Sequence, residues 1–155
     1  MSVTVGSPAP SITLPDQHGV EHNLPLASKW CVLYFYPKDD TPGCTTEACD
    51  FRDNNASLQQ MGVEVVGVSP DSPKSHTKFM KKFELPFTLL ADVEHELAEA
   101  YGVWVEKSMY GKTYMGIERS TFIIDPHGII RKEWRKVSVS GHVSEVAAAL
   151  KELQE

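Results

Sequence analysis

The sequence predicts an α/β fold of three layers, with a central mixed sheet flanked by helices and preceded by an amino-terminal β-hairpin. Three observations carry this expectation. Two runs, the continuously apolar and aromatic WCVLYFYP and the Val-rich VEVVGVS, have the length and composition of buried strands. Segments with helical spacing of apolar residues lie between and after them, the rhythm of strands joined by crossover helices. Late in the chain, RSTFIID and IIRKEWRKV flank Pro126-His127-Gly128, the punctuation of a second, carboxyl-terminal hairpin.

SITLPDQHGVEHNLP holds two short extended pieces around a Gly-containing turn, hence the first hairpin. WCVLYFYP is the first buried strand. Thr41 and Pro42 are the residue types of a helix N-cap and first helical position. Cys44, Ala48, Phe51, Asn55 and Leu58 then recur at spacings of four and three until about Gly62. VEVVGVS is the second strand, and Ser72-Pro73 caps and opens a helix running to about Glu84. FTLLAD supplies a third strand, VEHELAEAYG a helix closed by Gly102, and HVSEVAAALKELQ a terminal helix. With 155 residues, no internal repeat and no long linker, residues 1–155 are expected to form one domain, thioredoxin-like in its layering.

Charge and composition exclude several function classes. Fifteen Lys plus Arg stand against 21 Asp plus Glu, and the net charge of −6 opposes nucleic acid and anionic membranes as partners. The amino terminus MSVTVGSPAP has neither a basic region nor an apolar core, and no apolar run approaches a membrane span, so an unexported, cytoplasmic protein is expected. Three cysteines, Cys31, Cys44 and Cys49, do not make a secreted disulfide framework. The six histidines give no convincing metal site: His18 and His22 are four apart, but Gly19 and the extended pattern argue against the helix that would align them, and both are expected in solvent.

The stretch YPKDDTPGCTTEAC, Tyr36 to Cys49, concentrates the chemistry. Cys44 falls at about the third helical position, where unpaired backbone N–H groups and the helix dipole favour a thiolate over a thiol. Asp39 and Asp40 would oppose that charge if they pointed inward, so they are expected to face solvent, with a cation brought from elsewhere. Arg119, in GIERSTF at the mouth of a strand, is the candidate. Cys49 lies five residues beyond Cys44, which in a regular helix places the two Cα atoms roughly 8–9 Å apart. Disulfides need them within roughly 7 Å. The spacing makes sense if Cys44 is oxidised first to a sulfenic acid and the first helical turns then unwind to let Cys49 attack it.

Pro37-x-x-x-Thr41-x-x-Cys44 matches the active-site signature of the peroxiredoxins, and TPGCTTEAC resembles their bacterioferritin comigratory protein, or peroxiredoxin Q, subgroup. The resemblance extends through VEVVGVS, FTLLAD, YGVW, GKTYMGIERSTFIID and the terminal helix, essentially the whole chain. It implies reduction of hydrogen peroxide or organic hydroperoxides without metal, flavin or haem. Cys44 would be the peroxidatic nucleophile and Cys49 the resolving thiol, with an intramolecular disulfide reduced by thioredoxin. Thr41 can aim its hydroxyl at the thiolate and a peroxide oxygen, Pro37 can shape the loop and shield the sulfur, and Arg119 would stabilise thiolate and leaving oxygen. An intramolecular resolving thiol removes the need for a partner subunit, so a monomer is expected and a dimer stays open.

Plainer readings remain beside these. Thr41 can be only a cap, Pro37 only a strand terminator and Arg119 a surface cation. Glu47 reads as a complement to the helix dipole, Cys31 as an unreactive core residue, and Tyr34, Phe35, Tyr36, Phe83 and Phe87 as core or site wall. A disulfide reductase would normally carry Cys-x-x-Cys, which is absent. A noncatalytic redox sensor would use the same residues.

Overall fold

The computed structural model describes residues 3–155. In chain order its elements are β1 (Ile12–Pro15), β2 (Glu21–Leu24), β3 (Trp30–Phe35), α1 (Pro42–Gln60), β4 (Val63–Ser69), α2 (Pro73–Phe83) and β5 (Thr88–Ala91). The chain continues with α3 (Glu96–Ala100), β6 (Trp104–Met109), β7 (Lys112–Ile117), β8 (Ser120–Ile124), β9 (Ile130–Trp134) and α4 (His142–Gln154). Five strands form one mixed sheet in the order β5-β4-β3-β8-β9, parallel from β5 to β3 and antiparallel from β3 to β9.

β3 is central because every side chain from Cys31 to Tyr36 is apolar or aromatic enough to be buried, and all six are. Alternation splits them. Cys31, Leu33 and Phe35 pack with Leu97, Ala98 and Tyr101 of the α3 region and with Leu14 and Leu24 of the β1–β2 hairpin. Val32, Tyr34 and Tyr36 face the opposite layer, with Phe51 of α1, Phe79 of α2 and Val146 and Leu150 of α4. Tyr34 and Phe51 stack with ring centroids 4.7 Å apart, and burying a ring of this size contributes roughly 1.5–3 kcal/mol. Gly67 on β4 makes room for that stack, since a β-carbon there would lie 2.9 Å from the Tyr34 ring.

The helix ends obey local chemistry. Gly62, at φ 76, stops α1 with its N–H on the Gln59 carbonyl. Ser72 caps α2 by accepting the Ser75 N–H at 3.2 Å. Two features depart from the sequence pattern. α3 is only five residues long, because the Asp92 carboxylate accepts the N–H groups of Leu97 and Ala98 and His95 stands at φ 48, so the chain from Val93 to His95 is a turn. β6 and β7 form an antiparallel hairpin that the sequence pattern does not announce. Its outer face and tip leave Met109, Tyr110, Tyr114 and Met115 exposed, so it lacks the apolar alternation of a half-buried pair. Among the described residues, no helix is long and apolar enough to cross a membrane.

Strand register sets where Arg119 stands. Phe35, the last residue of β3, pairs with Ser120, the first of β8. Arg119 therefore lies beside the point where the chain leaves β3 and loops into α1.

Candidate active site

Thr41 has the extended backbone of an N-cap, φ −104 and ψ 156, and Pro42 opens α1, which puts Cys44 at the third helical position. The first helical bond runs from the Thr45 N–H to the Thr41 carbonyl, so the N–H groups of Gly43 and Cys44 precede it. Cys44 is 2% exposed. Its Sγ accepts a hydrogen bond from Nη2 of Arg119 at 3.2 Å. Gly43 lets the guanidinium come this close, for a β-carbon there would lie 3.2 Å from Nη2.

Arg119 is shared. Its Nη1 donates to Oε1 of Glu47 at 2.7 Å, and Glu47 is fully buried one helical turn beyond Cys44. Burial works against the charge on Arg119, but Glu47 and Cys44 outweigh it and raise its pKa. Burial pushes the Glu47 carboxyl up to about 7, with Arg119 pulling the other way. Oε2 of Glu47 has no hydrogen-bond partner among the described residues, which suits a carboxyl that keeps its proton near neutrality. The folded chain thus binds a proton that the unfolded chain, at an ordinary 4.5, has released. Stability contributed by this group is present in full below about 4.5 and is lost as pH rises to about 7. Urea unfolding at pH 5 and pH 7 should show wild type losing about 1–3 kcal/mol more than Glu47→Gln over that step. Parallel losses would mean that Glu47 is ionised throughout.

The loop before α1 is tied from within. Asp39 is buried, and its carboxylate accepts from the Tyr36 hydroxyl at 2.6 Å, the Ser75 hydroxyl at 2.8 Å and Nδ1 of His76 at 2.7 Å. Its N–H donates to Oδ2 of Asp71. Ligand atoms of Asp39, Asp71 and His76 lie within 4.8 Å of one another. However, Nε2 of His76 also meets an acceptor, the Leu90 carbonyl at 2.9 Å. A ring with acceptors at both nitrogens is satisfied by two protons, and the cluster closes on hydrogen bonds alone. Asp40 is exposed and pairs with Lys82.

Three comparisons bear on this arrangement. The model of the AhpC/TSA family matches residues 5–133. The chain belongs to that family. Peroxiredoxin Bcp of Bacillus subtilis is 53% identical over 100% of this chain and 99% of its own length, and Peroxiredoxin Bcp of Escherichia coli K12 is 45% identical over 95% of each. Among solved structures, peroxiredoxin Q of Xylella fastidiosa, as a Cys-to-Ser mutant, superimposes with a TM-score of 0.94 at 38% identity, covering 100% of this chain and 99% of that one. The bacterioferritin comigratory protein of Xanthomonas campestris, described for its alkyl peroxide reduction activity, gives 0.89 at 44% identity over 93% and 92%. The family's thioredoxin fold and its peroxiredoxin Q branch are therefore those of this chain.

For this peroxiredoxin the structure brings Cys44 and Arg119 together as the motif implies and keeps Cys49 half-buried farther along the same unbroken helix, both thiols free. Pro37 is half-buried at the end of β3. The Thr41 hydroxyl is committed elsewhere, donating to the Lys38 carbonyl at 2.9 Å instead of toward Cys44. Asp39 does not face solvent as expected, because the Tyr36 and Ser75 hydroxyls and the His76 imidazole take the place of water around its carboxylate. Glu47, expected to complement the helix dipole, is instead fully buried and accepts from Arg119 through Oε1. Its place in the stripe of core residues at Cys44, Ala48 and Phe51 was the signal available for it. His22 is half-buried against Asp16 at 2.7 Å, and Cys31 lies in the core with burial pushing its thiol up.

Proposed function

We propose that this chain is a one-domain thiol peroxidase in which Cys44 is the peroxidatic residue and Cys49 resolves it. The carrying observation is the Arg119 guanidinium 3.2 Å from Cys44 Sγ at the first turn of a helix. The thiolate attacks the terminal oxygen of a hydroperoxide, the O–O bond breaks, and the departing oxygen leaves as alcohol or water once protonated. Arg119 and the free N–H groups stabilise the charge that moves from sulfur to oxygen. Pro37 walls the loop, and Thr41 contributes once a peroxide draws its hydroxyl away from Lys38. Cys49 then attacks the Cys44 sulfenic sulfur, expelling water and forming a disulfide.

In an ideal helix these residues are too far apart to bond, so residues near 41 to 49 must unwind. A dithiol protein of the thioredoxin type would return both thiols, and the cycle uses no metal, flavin or haem. Free cysteines and a self-contained resolving step favour a cytoplasmic monomer. The activity described for the Xanthomonas campestris relative favours alkyl as well as hydrogen peroxide.

Intact mass and peptide mapping after one equivalent of hydrogen peroxide test the assignment. Wild type should lose two hydrogens at a Cys44–Cys49 bridge, and Cys49→Ser should carry a trappable sulfenic acid on Cys44. Oxidation first at Cys31, or none at Cys44, would overturn it.

A further inference from the structure

One half-buried cation near the site, Lys107, is not used by the steps described so far. Lys107 lies on β6, and its stem crosses the gap left by Gly116 on β7, where a β-carbon would come within 3.3 Å of its Cδ. Among the described residues its ammonium has no hydrogen-bond or ion-pair partner. It lines a groove of about 400 Å³ with Val105, Glu118, Arg119, Lys136 and Val137. Arg119 thus has two sides, one against Cys44 and Glu47 and one in the groove. The groups around Lys107 are Arg119 and Glu118 from the β7–β8 junction, Cys44 from α1, Glu106 beside it, Tyr114 across the hairpin and Lys136 beyond β9. Burial and the Arg119 charge hold its ammonium below the ordinary lysine value, against the pull of Cys44 and Glu118.

Arg119 is the residue shared by the Cys44 contact and the groove lining, so the leaving half of a peroxide attacked by Cys44 would reach the groove past the guanidinium. Arg119 cannot give that half a proton, since a guanidinium stays charged in proteins. Glu47 is sealed behind it. Resting on the peroxidase reading, we propose that the groove holds the departing alkoxide of an organic hydroperoxide and that Lys107 is the general acid that protonates it. In that step the S–O bond forms as O–O breaks, the hydroperoxide's own hydrogen stays on the sulfenic acid, and the O–O electron pair goes to the leaving oxygen. That oxygen takes a proton from the Lys107 ammonium, leaving a neutral amine that solvent reprotonates. Val105, Val137 and the lysine stems suit an apolar alkyl group.

A leaving group that needs no proton provides the test. At pH 7, tert-butyl hydroperoxide must release a strongly basic alkoxide, whereas peroxyacetic acid releases acetate. Both start from the same thiolate, so the ratio of their second-order rates with Cys44, measured by stopped flow, cancels effects on sulfur or fold. Lys107→Met should slow the alkyl reaction by about a hundredfold and lower the alkyl-to-peracid ratio at least about tenfold. Lys107→Arg keeps the charge without a releasable proton and should leave the ratio low. An unchanged ratio in Lys107→Met, or its full recovery in Lys107→Arg, overturns the proposal. Failure of wild type with both oxidants would instead sink the peroxidase reading itself, and failure with tert-butyl hydroperoxide alone would overturn the proposal.

Discussion

Arg119→Met is expected to slow the reaction of Cys44 with hydrogen peroxide by roughly a thousandfold, the loss caused by removing one preorganised donor from a developing oxyanion. The geometry makes this residue hard to replace. Nη2 meets the sulfur at 3.2 Å while Nη1 meets Glu47 at 2.7 Å, so one rigid fork holds its charge on Cys44 from a fixed side. The substitution also strands Glu47, which is fully buried and already inclined to keep a proton. Glu47 escapes most of the cost of an unpaired buried charge by staying neutral, so the stability loss should be only about 1–3 kcal/mol. Adding Glu47→Gln separates the two effects: the double variant should recover much of the stability in urea unfolding and none of the rate in stopped flow. A double variant that regains the rate would mean that Arg119 serves the fold and not the chemistry.

Most of the fold was legible because strand and helix periods are carried by core side chains. WCVLYFYP is apolar on both faces and VEVVGVS is so apart from Glu64, as buried strands require, and Ser72-Pro73 and Gly62 mark helix ends by backbone chemistry that does not depend on the rest of the molecule. The β6–β7 hairpin was not legible for the opposite reason. Its residues alternate little and many of its large side chains stay exposed, so its existence rests on pairing and on Tyr110-Gly111, both at positive φ, at its turn. The length of α3 hinges on which carboxylate caps it, a tertiary choice that Asp92 wins.

At the site, the residues that touch the sulfur were readable from their types and spacing, Cys44 from the helix start and Arg119 from the need for a cation. The residues that hold those groups were not. Glu47 and Asp39 are carboxylates, and a carboxylate in a sequence is far more often at the surface. Only the fold shows that Arg119 reaches one and that Tyr36, Ser75 and His76 surround the other. Acidic residues flanking a reactive thiol look like an electrostatic contradiction until each is found with its own partner.

The Asp39–His76 pair gives the largest expected effect on stability. Both side chains are buried, at 4% and 0% exposure, and their contact ties the loop before α1 to α2 and, through Leu90, to β5. His76→Leu would leave Asp39 with a charge whose counter-ion is gone and the Leu90 carbonyl without a donor, a loss of about 3–5 kcal/mol. Asp39→Asn should cost much less, about 1 kcal/mol, because the network can close again without charge. The Asn amide donates to Nδ1 of a neutral His76, Nε2–H still serves Leu90, and the Asn oxygen still accepts from Tyr36. Chemical denaturation of both variants distinguishes a buried ion pair from a network of donors and acceptors that merely needs completing. Equal losses would mean that the charge itself stabilises the loop. The expected inequality would mean that satisfied hydrogen bonds hold it, a loop anchored to α2 and β5 ahead of the first turn of α1.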